Sequence, residues 1–181
     1  MKRISFLILS AAAVLSAQDA PQYTSDGQMR LPAHYREWVF LSSGLAMTYG
    51  PAGQTNAQGN PRFDNVFVSP AAYKGFLKTG VWPDKTVMVL EIRDSGTDVS
   101  INTGGHVQTD LAAVEVHVKD STRFKGGWGF YGFGKSDTAK LIPTTATCYS
   151  CHEQHGLVDT TFVQFYPTLI DIAKQKGTFK P

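Results

Sequence analysis

The order of the patterned segments constrains this chain more tightly than its composition does. β-Branched and aromatic runs come first: WVFLSS from Trp38, FDNVFV from Phe63, KTVMVLEIRD from Lys85, LAAVEVHVKD from Leu111 and GWGFYGFG from Gly127. Gly, Asp or Ser clusters bound the last three, which marks them as strands. One helix interrupts them, because SPAAYKGFLKTG offers Ser69 as N-cap, Pro70 at the first helical position and Gly80 as the stop. HYREW, ahead of the first strand, reads as a short helical turn. The last third turns helical, with a short helix over Ala146 to Gln154 and a longer segment, DTTFVQFYPTLIDIAKQKG, broken near Pro167. Strands first and helices last predict an α+β fold, an antiparallel sheet with helices packed at one side or end.

At 181 residues the chain suffices for one well-buried domain and gives no reason to expect two. Met1-Lys2-Arg3, the short apolar run from Ile4 to Leu15 and the small residues Ser16, Ala17 and Ala20 have the form of a secretory signal. The expected division is a signal peptide at 1–17, a flexible segment at 18–30 and a single domain at 31–181. It implies a bacterial periplasmic protein with no membrane association after cleavage. A formal net charge of +2 with interspersed signs leaves no basic stripe, which argues against nucleic acid as a partner. GPAGQTNAQGNPR, Gly50 to Arg62, is too rich in Gly, Pro, Asn and Gln to order itself by burial and reads as a loop that could serve as a flap.

The only two cysteines stand in CYSCH, Cys148 to His152. Cys-x-x-Cys-His is the attachment pattern of haem c, in which two thiols join the porphyrin vinyl groups and the adjacent histidine ligates the iron. On a helix, residues i and i+3 share a face, so both sulfurs reach one edge of the same macrocycle. A disulfide over so short a loop would constrain little of the unfolded chain. Zinc would need two more ligands, and His106, His117 and His155 lack finger-like spacing. A thioredoxin-type dithiol would need a βαβ setting that is missing here. The expectation is one haem c, bound through Cys148 and Cys151, with His152 as the proximal iron ligand.

A sixth ligand would suit electron transfer, whereas a vacant position binds small molecules. No methionine follows the motif, and His155 is too close on the same helix to reach the other haem face. Met47, Met88, His34, His106 and His117 remain upstream candidates, each without supporting context. The reading favours an open distal face.

Several stretches together resemble one family, the cytochromes P-460: YREWV at Tyr35, SPAAYKGFLKTG at Ser69, VEVHVKDSTRF at Val114, GWGFYGF at Gly127 and CYSCHEQHGLVDTTFVQFYPTL at Cys148. The resemblance covers nearly the whole chain after residue 30. It implies an antiparallel sheet with packed helices, a five-coordinate haem c and commonly a homodimer. Hydroxylamine-oxidising members carry a lysine cross-linked to the porphyrin, in the strand after the S-P-x-x-Y helix. Beta-type cytochromes c′ share the fold without that bond and bind nitric oxide and related gases.

The position resembling the cross-linking lysine is Leu90, which has no nucleophilic atom. The chain is thus nearest the beta-type cytochromes c′. Lys78 and Lys85 are the neighbouring alternatives, on the helix and ahead of the strand. Period-two alternation puts Met88, Leu90 and Ile92 on one face, so a haem facing Leu90 would meet an apolar wall. Phe40, Phe67, Phe130 and Phe133 are candidates to cap that face, although each taken singly reads more readily as an ordinary core residue. Glu115 resembles the distal carboxylate of the oxidising members and is a candidate proton relay, its proton affinity raised by an apolar setting. The sequence leaves Glu115 divided between the cavity and the wet face of the sheet. Arg36, Asp120 and Arg123 also match the family pattern and are explained by pairing between loops.

These readings favour a periplasmic haem protein that binds nitric oxide or a similar small ligand, rather than a catalyst. A hydroxylamine oxidoreductase with Glu115 as its proton relay is the first alternative. An electron-transfer cytochrome is the second, and either alternative requires an electron-transfer partner protein.

Overall fold

A computed structural model describes residues 19–48 and 55–181. The expected signal peptide and the start of the Gly50 to Arg62 loop lie outside the described residues. Among the described residues, seven strands, β1 (Met29–Arg30), β2 (Val39–Leu45), β3 (Phe63–Val68), β4 (Val87–Gly96), β5 (Val107–Lys119), β6 (Trp128–Gly134) and β7 (Thr138–Ala139), combine with three helices, α1 (Pro70–Thr79), α2 (Thr147–His155) and α3 (Pro167–Gln175). The fold is α+β, as the order of patterns predicts.

Strands β2 to β6 pair in sequence order as one antiparallel sheet. Each strand pairs with the next one in the chain, so the registers are set by hairpin-like neighbours rather than by long crossovers. β1 and β7 form a separate two-stranded sheet that the sequence patterns do not announce, because strands of two residues carry no periodicity.

Both faces of the large sheet are covered. On one side Val87, Val89, Val114, Val116 and Val118 pack with Tyr35, Trp38, Tyr131 and Met29. On the other Val68, Met88 and Phe130 pack with Phe76 of α1, Leu169 of α3, and Val158 and Val163 from the connecting segments. This double coverage explains why β4 reads as almost continuously apolar instead of alternating apolar with polar. Residues 19–30, expected to be flexible, fold onto the first of these faces. Met29 is fully buried, Tyr23 bridges to it, and the Arg123 guanidinium lies 3.7 Å over the Tyr23 ring.

α1 begins and ends where its signals predict. Gly80 takes a left-handed φ of 75° and donates its N–H to the Phe76 carbonyl at 2.7 Å, a stop that suits glycine. Ser69 holds the N-cap position, but its hydroxyl makes no capping bond. α2 differs in kind, since none of its nine residues is fully buried. A helix this short is marginal in water unless a face packs against something.

Candidate haem site

The open face of α2 looks onto a cavity of about 260 Å³ between that helix and the sheet. Cys148, Cys151 and His152 all line it, as spacing on one helical face requires. Both thiols are free. Val66, Met88, Leu90 and Ile92 form the apolar part of the sheet wall, and Phe162, Phe165 and Tyr166 close the cavity from the segment that follows α2.

His152 is held from three sides. Its ring lies 4.3 Å from Phe162, 4.8 Å from Phe130 and 4.7 Å from His117, centroid to centroid. Its Nδ1–H donates to the Thr160 carbonyl at 2.9 Å, which leaves the lone pair on Nε2. Burial pushes the imidazole pKa below its ordinary value, against the opposing pull of that hydrogen bond, and so keeps the ring neutral. A neutral imidazole with its second nitrogen tied to a carbonyl is the form in which histidine ligates metal.

The turn that presents Thr160 is built from strained backbone. Asp159 and Thr160 both have left-handed φ values, 50° and 56°, at a cost of about 1–3 kcal/mol each. Several bonds offset it. Thr161 donates its hydroxyl to the Val158 carbonyl at 2.7 Å and accepts the buried Trp82 Nε1–H at 2.8 Å, while Lys119 reaches Asp159 at 2.5 Å. Sequence reasoning missed Thr160 and Lys119 because a backbone carbonyl has no residue signature and the lysine's partner is forty positions away.

The donor set fits haem c. Two free thiols and a neutral, oriented imidazole share one cavity, and the helix that carries them has no fully buried residue. A porphyrin filling the cavity would cover the face of α2 that carries Cys148, Cys151 and His152.

On the sheet wall, Leu90 lines the cavity with Met88 and Ile92, on the face that strand alternation predicts. Glu115 also lines it, opposite Leu90 in the β4–β5 register, so the wet-face alternative does not hold. The wall is not uniformly apolar, because Asp64 joins Glu115 there. Burial and the nearby Glu115 push Asp64 up to about 6 against the opposing pull of Arg62, and burial raises Glu115 as well. Asp64 was invisible in FDNVFV, where it reads as the polar member of an alternating strand.

The phenylalanine cap expected from sequence takes a different form. Phe67 packs on Tyr35 and Phe40, away from the cavity, and Phe40 is 53% exposed. Phe133 belongs to the core on that same side. Phe130 supports His152 but does not line the cavity. Strand parity decides this: Phe40 pairs with Phe67, whose neighbour on β4 is Val89, one residue out of phase with Leu90.

Among the candidate sixth ligands, Met47, Met88 and His117 line the cavity, whereas His34 and His106 do not. His117 stands in edge contact with His152, which leaves no room for a macrocycle between the two rings. Met88 is its neighbour in register on β4 and is 4% exposed. Met47 lies at the other end of the cavity, with its thioether folded over Gly44 where a Cβ would sit 2.0 Å from the sulfur. The lysines near Leu90 are elsewhere: Lys85 pairs with Asp120 at 2.5 Å and Lys78 is exposed on α1. Arg36 pairs with Glu91, and Arg123 lies over Tyr23, so the remaining family-pattern residues tie segments together outside the cavity.

A search of curated proteins found no match to this chain. The family model for Cytochrome P460 matches residues 32–163, from the segment before the first 3-10 turn through α2 and the Thr160 turn. That match spans the sheet, both cysteines and His152. The chain belongs to the cytochrome P460 family, and with that family comes a haem of the c type.

Proposed function

We propose that this is an exported, five-coordinate haem c protein that binds nitric oxide or a similar small ligand on the face opposite His152. The observation that carries the reading is the placement of Cys148, Cys151 and His152 on one cavity whose facing strand has Leu90 where a cross-linking lysine would stand. Cys148 and Cys151 would hold the macrocycle edge, and His152 would ligate from Nε2. The haem supplies an iron with one exchangeable coordination position. Leu90, Ile92 and Val66 exclude water from that side, which favours weakly polar ligands over hydroxide. Glu115, whose proton affinity burial raises, would when protonated donate a hydrogen bond to the ligand's outer atom.

The carboxyls favour a second reading, hydroxylamine oxidation. That reaction releases protons with its electrons, and Asp64 and Glu115 are buried bases able to accept them. The electrons would pass to a partner protein. Export to the periplasm and assembly as a homodimer belong to the same proposal.

Expression in a host competent in cytochrome c maturation, followed by intact mass and optical spectroscopy, tests it. The expected result is one haem per chain, resistant to acid extraction, and a high-spin ferrous spectrum that shifts on adding nitric oxide. A Soret band displaced strongly to the red would indicate a cross-linked haem and overturn the role given to Leu90. A low-spin ferrous spectrum without added ligand would identify a protein sixth ligand, with Met47 the first to substitute, and would overturn the gas-binding reading.

A further inference from the structure

We propose that Asp64 and Glu115 make the cavity an anion-excluding site, which selects neutral or cationic ligands over anions such as nitrite or azide. The inference rests on the haem reading and adds the class of ligand admitted. Asp64 pairs with Ile92 and Glu115 with Leu90, so the two carboxyls flank β4 on the face that lines the cavity. They arrive from strands on either side of the apolar pair and bracket the space in front of it.

Asp64 is 8% exposed, and its Oδ1 has no hydrogen-bond partner among the described residues. A buried carboxyl oxygen without a donor is costly, and in native proteins such an atom is usually satisfied. An unmet acceptor on a cavity wall is a place for a ligand's N–H or O–H. The nearest cation does not cancel the charge, because Arg62 is committed to Asp94 at 2.8 Å. The charged groups acting on Asp64 are therefore Glu115 and Arg62, and the other ionisable groups on the cavity are His117, His152, Cys148, Cys151 and Tyr166. As pH rises through about 6, Asp64 ionises and the cavity turns negative. In so dry a site an anion approaching the open coordination position meets poorly screened repulsion.

The test uses the holoprotein. Haem content is measured first, then azide affinity of the ferric form at pH 5 and pH 8 for the parent, Asp64→Asn and Glu115→Gln. Asp64→Asn is expected to bind azide at least tenfold more tightly than the parent at pH 8, with the ratio falling toward one at pH 5. Taking the ratio cancels the titration of azide itself. Glu115→Gln is expected to shift affinity in the same direction, and it decides the question if Asp64→Asn fails to fold. Haem present with unchanged azide affinity at pH 8 overturns the inference and leaves the haem reading standing. Absence of covalent haem overturns both.

Discussion

The Nδ1–H of His152 donates to the carbonyl of Thr160 across a turn in which Asp159 and Thr160 both adopt left-handed backbone angles. A donor fixed in this way defines the tautomer, and the tautomer decides which nitrogen can coordinate. The strain in the turn is offset by the Trp82–Thr161 and Lys119–Asp159 contacts, so the imidazole is oriented by residues distant in the sequence.

Gly156 sits where that turn closes on α2. A Cβ there would meet the Thr160 carbonyl carbon at 2.4 Å and the His152 oxygen at 2.6 Å, both backbone atoms that cannot swing aside. Gly156→Ala is expected to cost about 1–3 kcal/mol from overpacking. Urea unfolding measures the loss, and a weakened proximal bond would appear as a lower iron–histidine stretching frequency.

His152→Gly removes the ligand while leaving both thiols in place. The expected product keeps covalent haem, loses the five-coordinate histidine spectrum and recovers it on adding imidazole at millimolar concentration. Failure of imidazole to restore the spectrum, in a folded holoprotein, would show that another residue ligates the iron.

Asp64 carries a folded pKa raised from 3.8 to about 6, so its ionisation opposes folding. Stability tied to it is fully present below about 3.8 and is lost as pH rises through about 6. At roughly 1.4 kcal/mol per unit, Asp64→Asn should gain up to about 3 kcal/mol at pH 8 and little at pH 4. Denaturant titrations at the two pH values, each on parent and variant apoprotein, check the sign.

Glu91 titrates with the opposite sign. Burial alone would raise its pKa, but hydrogen bonds from Tyr35, Arg93 and Arg36 outweigh burial and hold it below the usual value. Its contribution is present above the unfolded value and is lost as pH falls through the folded one. Glu91→Gln leaves two arginines without their shared partner and should cost about 3 kcal/mol at pH 7. The penalty should shrink toward pH 3, which thermal unfolding at both pH values will show.

Most of the scaffold was legible because its signals are local. β4 and α1 stand where their residues place them, and Cys148, Cys151 and His152 share a face because four residues of helix require it. Leu90 and Glu115 were also found, although only the β4–β5 register moved Glu115 from an open alternative to the cavity wall. Phe40 and Phe67 were legible as aromatic strand residues but not as members of the opposite face: Phe67 alternates with Val66 on β3, and a bulge between Phe40 and Ser42 puts Phe40 on the same side. The aromatic lining comes instead from Phe162, Phe165 and Tyr166, in a segment whose position depends on the chain turning back after α2.

Sequence by itself determined the strands, the capped helix and the chemistry of CYSCH, because each depends on residues a few positions apart. Tertiary structure alone decided which atoms meet: Asp64 with Glu115 across β4, and the Thr160 carbonyl with the Nδ1 of a histidine eight residues before it. The reason is that a side chain's face follows from strand register and its proton affinity from burial. Both are set by distant partners that no local pattern encodes.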